Sequence, residues 1–170
     1  DPAGKPVTAS ADLPDSDFTD GMACDEGITL LQSLATNDAP FFLGVGFKKP
    51  HLAFIAPEYY WNIHTNEFSI HPFQDHPLHE VSYTWNYAAE LAGYDEFAIE
   101  GNSVTNIPEA LQKEMIHGYY ACVSFIDAQV GRLLDELETQ GLHTNTIVVL
   151  WGDHGFHLGD HAEWAKHTNL

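Results

Sequence analysis

Eight apolar residues, Leu111, Met115, Tyr119, Cys122, Ile126, Val130, Leu133 and Leu137, recur at steps of three and four. That spacing puts them on one stripe of a helix. It predicts a helix over 107–140, with Asn106 placed to cap it and Pro108 in the first turn. Gly141 stands where a left-handed C-cap belongs. A short turn then leads to 146–151, a continuous apolar run of strand length. A second such run, 41–47, lies before the helix. Runs of this kind fit strands buried on both faces, as in a parallel sheet. Strand, long helix, strand predicts an α/β layered domain whose sheet extends beyond these residues.

The rest of the chain is less regular. Residues 1–23 are rich in Pro, Asp, Ser and Gly and read as irregular surface chain. Ile28, Leu31 and Leu34 suggest a short helix over 25–36, ended by Asn37-Asp38-Ala39-Pro40. Residues 50–106 hold Pro50, Pro57, Pro72 and Pro77. They also carry Tyr59, Tyr60, Trp61, His64, His71, His76, His79, Tyr83 and Trp85. This reads as a long connection of the kind that shapes a pocket rim. His64, His71, His76 and His79 match no zinc spacing and read as surface histidines.

Charge narrows the function. The chain has 25 acidic and 6 basic residues, a formal net charge of -19. No basic stripe exists to neutralise phosphates, so nucleic acid is not expected as a partner. No run approaches the roughly 20 apolar residues of a membrane span. The opening Asp1-Pro2-Ala3-Gly4-Lys5 shows no basic flank followed by an apolar stretch, so no signal peptide is read there. Cys24 and Cys122 form no C-x-x-C pattern, and Cys122 reads as a small buried hydrophobe.

With so few cations, their positions inform. Lys48, Lys49 and Lys166 lie in or beside histidine-bearing segments that follow the two apolar runs. The first is Lys48-Lys49-Pro50-His51. The second is Gly152-Asp153-His154-Gly155, continuing through His161 to Lys166-His167. Ligands of open α/β sheets bind beyond the carboxyl ends of strands, so the two segments are expected to share one site. Lys and protonated His suit a tetrahedral oxyanion, a sulfate or a phosphate. Asp153 and His154 supply an oxygen and a nitrogen that suit a metal. Read alone, so short a pattern fits a turn-capping carboxylate beside a surface histidine better than a metal site.

The run Gly152-Asp153-His154-Gly155-Phe156-His157-Leu158-Gly159-Asp160-His161-Ala162-Glu163-Trp164-Ala165-Lys166-His167 resembles the late core motif of sulfatases, of the iduronate 2-sulfatase type. Residues 41–51, ending in Lys49-Pro50-His51, and the helix segment around Phe125-Ile126-Asp127-Ala128-Gln129-Val130-Gly131-Arg132 resemble the same branch. The resemblance covers about 38–54 and 107–170. It implies an alkaline-phosphatase-like layered fold with a mostly parallel sheet, here incomplete. Residues 1–170 would be part of one catalytic domain. It also implies hydrolysis of a sulfate ester on a small molecule or carbohydrate, with one Ca²⁺ and a formylglycine nucleophile expected upstream.

By position, the resemblance makes Asp153 and His154 metal ligands, and Lys166 a group that binds sulfate and stabilises the leaving oxygen. His51 would contact the sulfate and serve as proton donor, and Phe156 would lie near the sugar. Neither cysteine lies in a C-x-P-S-R or C-x-A-R motif, and no Asp-Asp pair occurs. The 170 residues alone are therefore expected not to turn over an aryl sulfate. The family implies a periplasmic, secreted or lysosomal setting. A phosphate-ester or phosphodiester hydrolase of the same superfamily and a non-catalytic binding module are the alternatives.

Overall fold

The architecture rests on one long helix, seen in a computed structural model that describes residues 4–37, 39–65, 67–76, 78–79, 89–164 and 166–167. Tyr83 and Trp85 of the expected pocket rim lie outside the described residues, as do Pro77 and Ala165. The elements are β1 (Thr8–Ala11), α1 (Thr19–Leu34), β2 (Phe54–Pro57), α2 (Glu58–Ile63), α3 (Asp95–Ala98) and α4 (Glu109–Thr139). Strands β1 and β2 pair in parallel, with Thr8 opposite Phe54 and Ala11 opposite Pro57. Helix α4 packs on α1, on β2 and on α2. The result is an incomplete α/β layer: a short parallel sheet with helices against it.

The periodic stripe of α4 is observed. Met115, Cys122 and Leu137 are buried, and Gly118, Ala121, Phe125 and Gln129 widen the covered face. A helix lined by both a sheet and other helices buries more than one narrow stripe. Gly141 takes φ +69°, the left-handed stop expected of it. The cap differs from expectation. Pro108 rather than Asn106 occupies the N-cap position, and no side chain caps the helix. Proline lacks an N–H and fixes φ, so it enters a helix start without help.

Two further expectations are corrected. The first 23 residues are not all irregular, because they supply β1 and the start of α1. Segments 41–47 and 146–151 form no strand, so they are not found in one sheet. Their backbones form no sheet ladder among the described residues, and a strand requires one. Segment 41–47 still shows the period of two. Phe41, Leu43, Val45 and Phe47 are half-buried, while Phe42, Gly44 and Gly46 face outward. Val45 lies against Gly27 of α1 and beside Leu133 of α4. Segment 146–151 is barely covered, with Ile147 at 92% and Trp151 at 77% exposure.

The core gathers Val7, Leu52, Phe54, Ala56, Leu91, Met115, Cys122, Phe125 and Trp164. A polar knot ties its edge. The Asp15 carboxylate accepts from the Tyr60 hydroxyl at 2.7 Å and from Gln129 Nε2 at 2.6 Å. Arg132 donates to Gln129 Oε1 at 2.8 Å and pairs with Asp25. Burial, reinforced by Asp15, raises the Tyr60 phenol above its ordinary range. Tyr60 is therefore a core strut, not a rim residue. No helix among the described residues is long and apolar enough to cross a membrane.

Gly118 is where α4 meets the sheet most closely. A Cβ there would lie 2.9 Å from Phe54 Cβ and 3.0 Å from the Trp61 ring. Gly118→Val should destabilise the chain by about 1–3 kcal/mol through overpacking. Urea unfolding checks this, and an unchanged midpoint would refute the close packing. Both cysteines are free and fully buried. Burial pushes the Cys122 thiol up to about 12 and raises Cys24 as well. The reactive thiolate is thus suppressed at pH 8. Ellman's reagent should leave both thiols untouched in the native chain and react with both in urea. Rapid native reaction of either would contradict the burial.

Candidate functional site

The site begins at a turn. After 41–47 the chain reaches Lys48-Lys49-Pro50-His51, and His51 N–H closes on the Lys48 carbonyl at 3.0 Å. Asp20, buried in the first turn of α1, holds this turn in place. Its two carboxylate oxygens accept the Lys48 N–H at 2.7 Å and the Lys49 N–H at 3.0 Å. A buried carboxylate is stable only with such donors, and both of its oxygens are supplied. The peptide bond Lys49-Pro50 is cis, as is Leu52-Ala53.

The two lysines of this turn part company. Lys48 is exposed. Lys49 turns inward and donates to the carbonyls of His51, at 3.1 Å, and of Ala53. Burial lowers the pKa of its ammonium. Lys49 was expected among the groups suited to an oxyanion, and the structure instead ties its charge to backbone oxygens.

His51 meets Lys166. The Lys166 ammonium donates to His51 Nε2 at 2.6 Å, across 115 residues of sequence. On the other side of the ring, Nδ1 lies 2.7 Å from the Leu52 carbonyl. A carbonyl can only accept, so Nδ1 carries the proton and Nε2 presents its lone pair to Lys166. Lys166 arrives by a second turn. Gly159, at φ +95°, donates its N–H to the Glu163 carbonyl at 2.9 Å. A Cβ on Gly159 would sit 3.0 Å from the Trp164 ring. Trp164 is buried in the core and anchors the segment just before Lys166.

Glu90 completes the group, and nothing in its sequence neighbourhood points to it. Its carboxylate lies 3.0 Å from the Lys166 ammonium and 3.7 Å from His51 Nε2. The Lys166 side chain is only 10% exposed. A lysine so enclosed needs a counter-charge, and Glu90 provides it. Asp20 was missed for a similar reason: nothing local distinguishes an acid of α1 that serves a turn 28 residues away.

Among the described residues, Asp153 and His154 contact each other and Gly155 rather than this cluster. Asp153 accepts the His154 N–H at 3.0 Å, and its other oxygen lies 3.7 Å from His154 Nε2. His154 Nδ1 faces the Gly155 carbonyl at 2.8 Å, which leaves Nε2 as its acceptor. The Asp153 side chain is 84% exposed. One carboxylate and one imidazole nitrogen, both accessible and adjacent, fit a divalent cation as two of its ligands. Among the described residues no group of three His, Cys, Asp or Glu is arranged to hold a metal. The ring of Phe156 is half-buried and meets Phe54 edge to face, centroids 5.7 Å apart.

Of the four histidines read as surface groups, His76 and His79 are exposed, while His64 and His71 are half-buried and make contacts. His64 Nε2 bonds the Ser124 hydroxyl at 2.8 Å, and its ring packs against Tyr120. His71 Nδ1 lies 3.4 Å from Asp160, and Phe73 stacks on His161 with centroids 5.6 Å apart. These contacts fasten the 64–76 connection to α4 and to the 159–164 turn.

The family model described as Sulfatase matches residues 15–170. The chain is 34% identical over 163 residues to an iduronate 2-sulfatase of Mus musculus, covering 94% of this chain and 30% of that protein. It is 34% identical over 132 residues to a sulfatase of Formosa agariphila, covering 76% and 24%. It is 26% identical over 172 residues to a multifunctional alkaline phosphatase superfamily protein, PehA, of Trinickia caryophylli, covering 95% and 31%. The chain thus spans under a third of the length of each of these relatives. Sulfatases generally use a divalent metal and a formylglycine. By the family model and by these identities, the chain belongs to the sulfatase family, within the alkaline-phosphatase-like superfamily.

Proposed function

We propose that residues 1–170 are part of a sulfatase catalytic domain and supply the groups that hold a sulfate ester, on a sulfated carbohydrate or small molecule, while its leaving oxygen departs. The observation that carries this reading is the 2.6 Å approach of Lys166 Nζ to His51 Nε2 beside a largely buried ammonium. A fixed, poorly solvated cation stabilises charge that develops on a sulfuryl or leaving oxygen far better than one in water. His51 has its Nδ1 committed to Leu52, so Nε2 is the atom that can carry a proton toward a leaving alkoxide. The Lys166 ammonium, 2.6 Å from Nε2, is the source of that proton: it keeps its charge while the ester bond breaks and is left neutral once Nε2 has passed the proton to the leaving oxygen. Glu90 is the counter-charge of that ammonium until an anionic substrate takes its place beside it.

Asp153 and His154 are the residues that would hold a divalent cation, and the resemblance in sequence favours Ca²⁺. A histidine nitrogen is an unusual calcium ligand, so a softer divalent ion suits the pair as well. The metal, when bound, supplies positive charge for the sulfuryl oxygens and lowers the pKa of the nucleophile. That nucleophile is a formylglycine outside these residues, since Cys24 and Cys122 are buried, lie in no matching motif and are held as thiols. Phe156, resting on Phe54, is the aromatic on the sugar side. Similarity to PehA keeps a phosphate ester as the second reading, because a tetrahedral dianion suits the same cations.

The test is made in the whole natural protein. Lys166→Ala should lower kcat on a sulfated sugar by roughly 10²–10³-fold, the scale of removing one oxyanion donor. Its bound metal should be unchanged. Asp153→Ala should lose bound metal as well as turnover, as read by elemental analysis. A Lys166→Ala protein with near wild-type kcat would remove Lys166 from the site. A preference for phosphate over sulfate esters would favour the second reading.

A further inference from the structure

The turn at 48–53 directs a half-buried ammonium onto its own backbone. Three successive carbonyls are each assigned a side-chain donor. His51 O and Ala53 O take the Lys49 ammonium, and the carbonyl between them, Leu52 O, takes His51 Nδ1–H. The two ends of the turn are fixed independently. Asp20 holds the amides of Lys48 and Lys49, and Ile55 N–H adds a second donor to Ala53 O at 2.9 Å. Enclosing an ammonium is costly unless each donor is used, and an apolar side chain would fill the same space without that cost. A merely space-filling role does not account for the lysine.

We propose that Lys49 is a positioning residue for His51: by holding the carbonyls on either side of Leu52, it aims Leu52 O at His51 Nδ1 and so presents Nε2 to Lys166. This deepens the proposed function and rests on its assignment of His51 to the anion site. With its Nδ1 partner fixed, the imidazole has one tautomer and one ring orientation. Without Lys49, His51 O loses its side-chain donor and Ala53 O keeps only the Ile55 N–H, so the direction of Leu52 O between them is less tightly fixed. The ring then reverts to the mixture of tautomers that an untethered histidine shows.

Nitrogen NMR of the 170-residue chain, labelled at histidine, tests this without any need for turnover. In the wild type, His51 should be a neutral Nδ1–H tautomer with Nε2 as acceptor. In Lys49→Met, similar in length but without charge, His51 should lose that single-tautomer signature while the amide signals of α1 and α4 stay in place. Lys49→Arg, which keeps the charge and the donors, should restore it. Inorganic sulfate titrated against the same signals should bind Lys49→Met about tenfold more weakly than wild type, the scale of one oriented hydrogen bond.

A folded Lys49→Met chain whose His51 keeps the Nδ1–H signature would overturn the proposal. If that variant does not fold, the wild type still decides. Its Lys49 ammonium protons should exchange slowly and show cross-peaks to residues 51 and 53, and fast exchange without those cross-peaks would overturn the proposal too. Wild type showing the tautomer but no sulfate binding would count against the proposed function and leave the positioning role standing.

Discussion

The Asp20 carboxylate is the contact on which the site depends. It sits at the start of α1, buried, and both its oxygens are taken by the amides of Lys48 and Lys49. Helix α1 is itself held by α4, so the turn inherits the rigidity of the longest element in the chain. From that clamp the order of events is short. The turn reverses, Lys49 locks its carbonyls, and His51 emerges with its ring already oriented. On the facing side, Trp164 fixes the segment that delivers Lys166. His51 and Lys166 are 115 residues apart in sequence and meet only because each local turn is anchored to the core. Each is placed by a buried anchor that the core pays for.

Charge works in the same direction. The chain carries a formal net charge of -19, so a free lysine on its surface would be surrounded by carboxylates. The structure instead encloses Lys166 with one carboxylate, Glu90, and one imidazole. In that enclosure, screening by solvent and salt is weaker, and a local cation counts for more than the distant excess of acid. An acidic protein can thus bind an anionic ester at one point while its surface at large repels polyanions.

Much of this was legible in the sequence, for definable reasons. Helix α4 was visible because its stripe repeats over eight residues, and Gly141 marked its end. His51 and Lys166 were visible because cations are scarce and the motifs around them are dense. Segments 41–47 and 146–151 were read as strands from composition, but a strand is defined by its neighbours, and the described residues offer these segments no ladder. Strand β1 was missed because Thr8-Ala9-Ser10-Ala11 has no apolar run to announce it; it is a strand through pairing with β2. Glu90, Asp20 and the inward turn of Lys49 were illegible because each is defined by a partner distant in sequence or by burial. Asp153 and His154 keep their chemical fitness for a metal, while among the described residues their hydrogen bonds and ion pair are local.

The central claim is that His51 and Lys166 form a cradle for a tetrahedral oxyanion. Crystals of the chain soaked in tungstate, a heavy analogue of sulfate, test it most directly through the anomalous signal of the metal. The account predicts one dominant peak with its oxygens in contact with both Lys166 Nζ and His51 Nε2, and the Glu90 carboxylate moved aside. Peaks confined to the exposed histidines, with the Lys166–Glu90 pair undisturbed, would contradict it.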